Sequence, residues 1–432
     1  MGGACGFLPS VYAQQVSQRD EGSLLETLEE VIVTARFREE SAQDIGQSIR
    51  AFGGQEIERS GIVDFEDIAR RTPGLAFNDR GPNRNEASIR GISQLVSGAT
   101  LDILPSQTVV RMFVDDIPVS SPNSSQRDFN LFDFNRVEVL RGPQPTYFGE
   151  GSVGGTIRYF SQDPDLAVTG VTGKVALDSS LTDGGGFNYS ANAAANFILV
   201  PDKFAVRVVG FQRDDEGFID NTLTGDDDYN FYQSTGGRII VKAQPTEQFS
   251  VRLAAHLAND EVGGDWVADD ESHDYESSGN VFQSATDIDE YRLYSLNLSY
   301  DFGPPTLTSV TGRYERERRN RVFDFVQSRN TLPILFGQTG NVITENLADE
   351  ENFTQELRLI SQLEGRFNFT ARAVYQEAEY IQAAEARAAE LLPISLIGND
   401  LLFGSLANLE PATREHKSAF FELGLDATER LK

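Results

Sequence analysis

The chain of 432 residues carries 37 Lys and Arg against 66 Asp and Glu, a formal net charge of -29, so it lacks the positive excess that binds phosphate backbones and nucleic acid is not an expected partner. Mean hydropathy is -0.33, and no stretch approaches the roughly 18 consecutive apolar residues of a membrane-spanning helix, which excludes a helical membrane protein. One Cys and three His leave no disulfide framework and no cluster at zinc-ligand spacing, and at roughly 100–200 residues per domain the length fits two or three ordinary domains, or one small domain joined to a very large one.

At the N-terminus, Phe7-Leu8-Pro9-Ser10 followed by Val11-Tyr12-Ala13 reads as the remnant of a secretory leader over residues 1–13, cleaved after Ala13 and taking Cys5 with it. Residues 14–29 are polar and acidic without apolar periodicity, the pattern of a flexible arm that extends to about residue 40. Within it, Glu30-Val31-Ile32-Val33-Thr34-Ala35 is a short β-prone run between charged neighbours. Such a run either adds to a partner's sheet edge through main-chain hydrogen bonds or is an ordinary edge strand. Residues 41–165 alternate short strands and helices. A strand is expected over 48–52, and Asp64 is placed to cap a helix over 65–71 that Thr72-Pro73-Gly74 stops. Further strands are expected over 87–92, 112–114 and 137–140, separated by turn chemistry such as Asp115-Asp116 and Gly142-Pro143. This is a small mixed α/β domain. Residues 1–165 hold fifteen Arg and no Lys against twenty-four Asp and Glu. The Arg fork suits buried bidentate pairing with carboxylates, so the bias fits a domain enclosed by other protein.

After Pro164 the pattern changes to long segments of alternating character, with candidate strands at 171–181, 187–198, 203–214, 229–243, 248–260, 291–302, 306–317, 353–362, 367–380 and 416–427. Each is about as long as a tilted membrane-crossing strand, roughly 9–11 residues. Their connections alternate between tight, as at Pro201-Asp202 and Gly303-Pro304-Pro305, and long, as at 215–228, 261–290 and 318–352. Short turns at one end and long loops at the other is the plan of an outer-membrane barrel. The loops carry much of the charge: residues 260–290 contain eleven acids and no Lys or Arg.

Several chemical motifs fail their context. Gly149-Glu150-Gly151-Ser152-Val153-Gly154 has dinucleotide-site spacing, yet Gly155 to Phe160 after it reads as a strand where that site requires a helix, and Gly155 stands where a P-loop requires lysine. These glycines suit tight turns and close backbone approach. Asp226-Asp227-Asp228 lacks the spacing and distal glutamate of a calcium loop, so the acidic loops read as solvated surface and no metal site is assigned. His256, His273 and His416 are scattered, no nucleophile elbow occurs, and no catalytic set is found, so an enzyme is not expected.

Taken together, the motifs resemble those of the TonB-dependent outer-membrane receptors of Gram-negative bacteria. Glu30 to Ala35 is similar to the family's TonB box. Thr72-Pro73-Gly74, Ile89-Arg90-Gly91, Phe113-Val114-Asp115-Asp116-Ile117-Pro118, Val137 to Gln144 with Tyr147-Phe148-Gly149, and Gly154-Gly155-Thr156-Ile157 resemble its plug signatures in order. Phe353-Thr354-Gln355-Glu356-Leu357-Arg358-Leu359 resembles a recurring barrel-strand motif. Pro145 stands where the family usually has Gly, and Glu150-Gly151-Ser152 replaces its usual run. The resemblance implies a mixed α/β plug domain (41–165) followed by an antiparallel transmembrane β-barrel, all-β, of which residues 166–432 form the N-terminal part. The family barrel has twenty-two strands, so the barrel is expected to be incomplete in this chain and the parent gene to continue. An open membrane sheet would leave unpaired edges in lipid.

The implied function is TonB-dependent active transport of a scarce ligand across the outer membrane, a ferric siderophore first, with cobalamin, a carbohydrate or an aromatic compound as alternatives. A passive porin or adhesin is the alternative of another class. Partners implied are TonB with its inner-membrane energising complex, outer-membrane lipid and lipopolysaccharide, and the ligand; no cofactor is implied beyond iron within a transported complex. Glu30, Val31, Ile32, Val33, Thr34 and Ala35 would bind TonB. Arg90 and Arg141 are expected to pair with barrel glutamates, Glu356 foremost, and Arg80, Gln94, Ser120 and Ser121 fall on apices that resemble ligand-contacting loops.

Overall fold

The computed structural model describes residues 32–34, 40–41, 47–78, 81–93, 108–120, 126–149, 151–167, 170–222, 224–264, 266, 268, 275–277, 286–323, 341–363, 367–389, 407–408 and 412–425. A two-residue hairpin comes first, β1 (Ile32–Val33) against β2 (Glu40–Ser41). β3 (Ile49–Gly53) leads into α1 (Gly54–Arg59) and then α2 (Phe65–Arg70). The expected cap is present: the Asp64 carboxylate accepts the Asp67 amide at 3.2 Å, and α2 buries Phe65, Ile68 and Ala69. Next come β4 (Leu75–Asn78), β5 (Glu86–Ile89), β6 (Ile92–Ser93), β7 (Val110–Val114), β8 (Ile117–Pro118), β9 (Phe134–Arg141), the single turn α3 (Pro145–Phe148) and β10 (Gly155–Ser161).

The central sheet has the order β3-β9-β10-β7-β8, with β10 antiparallel to β9 and parallel to β7. β4, β5 and β6 form a separate sheet. The segment after the glycine run is a strand, as expected. A Cβ at Gly155 would lie 2.5 Å from Ile89 Cδ1 and press on the Leu140 carbonyl, so glycine here permits sheet packing.

β11 (Val171–Leu181), β12 (Phe187–Val200) and β13 (Phe204–Asp215) open the wall, followed by the short β14 (Asp220–Asn221) in an outer loop. β15 (Tyr232–Ala243), β16 (Phe249–Gly263), the loop strand β17 (Glu276–Ser277), β18 (Thr286–Asp301), β19 (Pro305–Phe323), β20 (Asn341–Ser361), β21 (Phe367–Ala389), β22 (Ala407–Asn408) and β23 (Ala412–Leu425) complete it. Among the described residues the wall is one eleven-stranded antiparallel sheet whose first and last strands do not pair with each other, and β14 pairs with β17 between two outer loops. Every strand expected from the alternation is present, and β20 and β21 run well beyond the expected bounds.

The wall reverses the polarity of a soluble sandwich. Its concave face carries buried His256, Asp260, Asp287, Asp289, Arg316, Glu356 and Arg358, while Val175, Leu177, Leu253, Leu257 and Leu357 are exposed on the other face. Successive strand residues point to opposite faces, so this is the polar-in, apolar-out pattern of a membrane barrel. The domain of residues 49–161 sits against the concave face. Its core continues into the wall through Phe211, Ala258, Tyr291, Leu293, Val310 and Tyr314, and the Phe129 ring meets Tyr291 edge-on at 5.6 Å.

Candidate functional site

The site is the seam between the small domain and its wall, and it starts at one turn. Asp115 and Asp116 join β7 to β8 with φ of 48° and 70°, the mirror-image two-residue turn that fits the twist of a tight hairpin. Positive φ is strained for side-chain residues and persists where surroundings over-determine it. Here the surroundings are charges on two sides. Asp115 accepts Ser161 N at 2.9 Å and Ser161 Oγ at 2.6 Å, and it meets Arg252 at 3.0 Å and His256 Nε2 at 3.1 Å, both on β16. Asp116 accepts Arg158 at 2.6 Å and Arg358 of β20 at 2.8 Å. Burial alone would push both carboxyls up, but Arg252 and His256 at Asp115, and Arg358 and Arg158 at Asp116, hold them well below the usual carboxylate range.

Arg158 carries the network inward. Aligned beside Glu138 across β9 and β10, it donates to that buried carboxylate at 3.0 Å and to the Thr34 carbonyl at 2.7 Å. Glu138 in turn accepts the Thr34 amide at 2.9 Å and Arg136 Nε at 2.8 Å. Val33 is fully buried with Ala51, Phe113, Leu140 and Phe148. The expected solvent-facing box is thus docked where it can be seen: Thr34 is latched by three charged side chains, and Ile32–Val33 pairs with Glu40–Ser41. Glu30, Val31 and Ala35 lie outside the described residues.

At the outer end of the seam, Asn83 and Asp128 clasp each other through reciprocal amide bonds of 2.9 Å, and Asn83 Nδ2 donates to Asp260 of β16 at 2.7 Å. Arg84 meets Asp287 at 3.1 Å, while Arg127 joins Asp260 at 2.6 Å and Asp289 at 2.7 Å and stacks on Tyr291. Arg316 and Arg318 of β19 bind the same Asp289 and Asp287. Burial, helped by the charge of Asp64, raises the Asp128 carboxyl to about 7 against the hydrogen bonds from Asn83 and Asn85.

The expected pairing of Arg90 and Arg141 with Glu356 does not occur. Arg90 and Gly91, with φ of 54° and 77°, form a tight turn between β5 and β6; Arg90 is exposed, and its guanidinium folds back beside Gly142. Arg141 donates to the Pro73 carbonyl at 2.8 Å. Glu356 is taken by Arg358 and Arg372 within the wall. The residues that reach across are Arg358, two positions on along the same face, which meets Asp116, and Arg372, which donates to the Tyr147 carbonyl. Ser120 is half-buried, and its Oγ accepts the Met112 amide at 2.5 Å. Arg80, Gln94 and Ser121 lie outside the described residues. Sequence reading missed Asp115, Asp116, Arg158 and Arg358 as a set, although Asp115-Asp116 and Arg358 stood inside motifs it singled out. The missing signal was that positive φ at both aspartates sends the two carboxylates toward opposite wall strands.

Residues 41–156 match the family described as the TonB-dependent Receptor Plug Domain. The chain is similar to the pesticin receptor of Yersinia pestis, 28% identical over 244 residues that cover 56% of this chain and 33% of that protein. It is also similar to the ferripyoverdine receptor of Pseudomonas aeruginosa, 29% identical over 133 residues, 31% of this chain and 15% of the other. Among solved structures, the ferric yersiniabactin uptake receptor of Yersinia pestis superposes with a TM-score of 0.66 at 15% identity, covering 87% of this chain and 61% of that one. The chain therefore spans about a third of the length of the first of these curated relatives.

Proposed function

We infer that this chain, whose residues 41–156 are a TonB-dependent receptor plug domain set in a partial barrel wall, belongs to an outer-membrane receptor that takes up a ferric siderophore at the expense of inner-membrane energy delivered by TonB. The observation that carries the reading is the latched N-terminal segment. A β-prone strand of the kind that adds to a partner's sheet edge is held through Thr34 by Glu138 and Arg158, and the same Arg158 is joined through Asp116 to Arg358 in the wall. A pull on the segment or a shift of the wall therefore acts on one connected set of charges, as a transport cycle requires and a passive porin or adhesin does not. Relatives named for ferric pyoverdine, enterobactin and yersiniabactin support a ferric siderophore as the first reading, and the similarity to a vitamin B12 transporter of Vibrio vulnificus makes cobalamin the alternative. TonB and its energising complex, and the lipid and lipopolysaccharide of the outer membrane, are the partners this reading requires. The family is one of receptors and transporters, not of enzymes.

Deleting Glu30 to Ala35 from the full-length natural protein tests the reading. Growth of a receptor knockout on ferric siderophores as sole iron source should be lost, while surface binding of the same complexes persists. Growth at the parental rate without the segment would refute TonB-driven uptake.

A further inference from the structure

Three carboxylates lie together at the outer end of the plug, and one of them has no counter-charge. Asp260 of β16 is paired with Arg127 at 2.6 Å, and Asp64, at the start of α2, has Arg213 at 3.5 Å. Asp128 is held by amides alone, Asn83 N at 2.9 Å and Asn85 Nδ2 at 2.9 and 3.1 Å. The negative charges of Asp64 and Asp260 both act on it, and among the described residues no arginine or lysine pairs with it.

Oxygen atoms that lack donors stand beside it. Asn85 and Gln126 form an isolated antiparallel bridge, the Gln126 amide donating to the Asn85 carbonyl at 2.8 Å, and residues so paired have Cβ atoms roughly 5 Å apart. Both are buried, and Asn85 Oδ1 and Gln126 Oε1 have no hydrogen-bond partner among the described residues. The orientation of the Asn85 amide is set by its neighbour, because turning it over would place Oδ1 against the Asp128 carboxylate. The buried Tyr159 hydroxyl also lacks a partner, and it is raised by burial and then by the charges of Asp128 and Asp64. Asp64, Asn85 and Asp128 line one cavity.

A buried acceptor without a donor is costly, and here two amide oxygens stand beside two carboxylates. Water would satisfy two of these acceptors but not the negative charge. A hard cation satisfies both, since calcium takes carboxylate and amide carbonyl oxygens at roughly 2.3–2.6 Å and completes its shell with water. We propose that Asp128, Asp64, Asn85 Oδ1 and Gln126 Oε1 form a site for a calcium-type divalent cation. Such an ion joins the start of α2, the turn at 83–85 and the segment at 126–128, so the outer end of the plug is fastened by a cation from the medium. Only two of the ligands are carboxylates, so no acidic run marks the site in the sequence, in contrast to Asp226-Asp227-Asp228 of the outer loop.

The test is a calcium titration of the full-length natural protein, purified in detergent, stripped with EDTA and held at constant ionic strength while Tm is followed. Millimolar calcium chloride should raise Tm by several degrees. Asp128→Asn should lose that rise. Asp227→Asn should keep it, which separates this site from calcium held by the acidic outer loop. Baselines in EDTA differ between variants, so only the calcium-dependent shift is compared. No rise in the parent, or a rise of equal size in Asp128→Asn, overturns the proposal. If Asp128→Asn does not fold, Asp64→Ser takes its place: serine keeps the helix cap and removes the carboxylate, so the calcium shift should shrink, and a full shift overturns the proposal.

Discussion

Asp115 and Asp116 show how much depends on two backbone torsions. A turn with negative φ at these positions would send both side chains elsewhere; with φ of 48° and 70° one carboxylate meets β16 and the other meets β20 and β10. Removing one partner of a buried pair typically costs about 3–5 kcal/mol, because the other charge stays buried. Asp116→Asn should therefore loosen Arg158 and, through it, Thr34. In a background without Cys5, a cysteine introduced by Thr34→Cys should react faster with a thiol reagent once Asp116→Asn is added. An unchanged rate would show that the turn does not hold the segment. Asp128 makes an opposite prediction with pH. Its carboxyl is raised to about 7, first by burial and then by the charge of Asp64, so the folded protein binds a proton that the unfolded chain releases near the ordinary carboxylate value. Stability from this group is present below that value and is lost as pH rises toward 7. Asp128→Asn should remove that slope, and denaturant midpoints of the purified protein should rise more at pH 8 than at pH 5. A gain of equal size at both pH values would exclude this titration as the cause.

Among the elements, those with period-two alternation were legible and those set by local backbone detail were not. The wall strands could be read because one face meets lipid and the other meets the plug, so each residue's environment is written in its polarity. The helix over Phe65–Arg70 could be read from Asp64, whose carboxylate does cap it. α1 begins at Gly54 with no side-chain cap and runs for 6 residues, and α3 has 4; neither is long enough to show a helical period. β20 and β21 were expected too short, because their outer ends rise past the alternating segments. One element contact is set by a missing side chain. A Cβ at Gly312 of β19 would overlap Ile117 Cδ1 of β8, so Gly312→Val should push the plug off the wall. Limited proteolysis of the folded protein should then cut residues 41–165 faster than in the parent, and an unchanged cutting pattern would show that β8 adjusts without unseating.

For the molecule as a whole, part of the acidic excess is structural: Asp260, Asp287 and Asp289 are drawn inward to meet Arg84, Arg127, Arg316 and Arg318. The Arg-only composition of the first 165 residues finds its use here, since a planar fork spans two wall carboxylates where lysine has one point of charge. Composition, alternation and motif order alone determined that the chain is a small α/β domain followed by membrane strands, because burial against lipid or against a plug imposes a pattern that each strand carries locally. Which charges meet across the seam, and that the N-terminal segment is latched and not free, were decided only by tertiary structure. Those contacts join residues more than a hundred positions apart, through turns whose φ no side-chain pattern specifies.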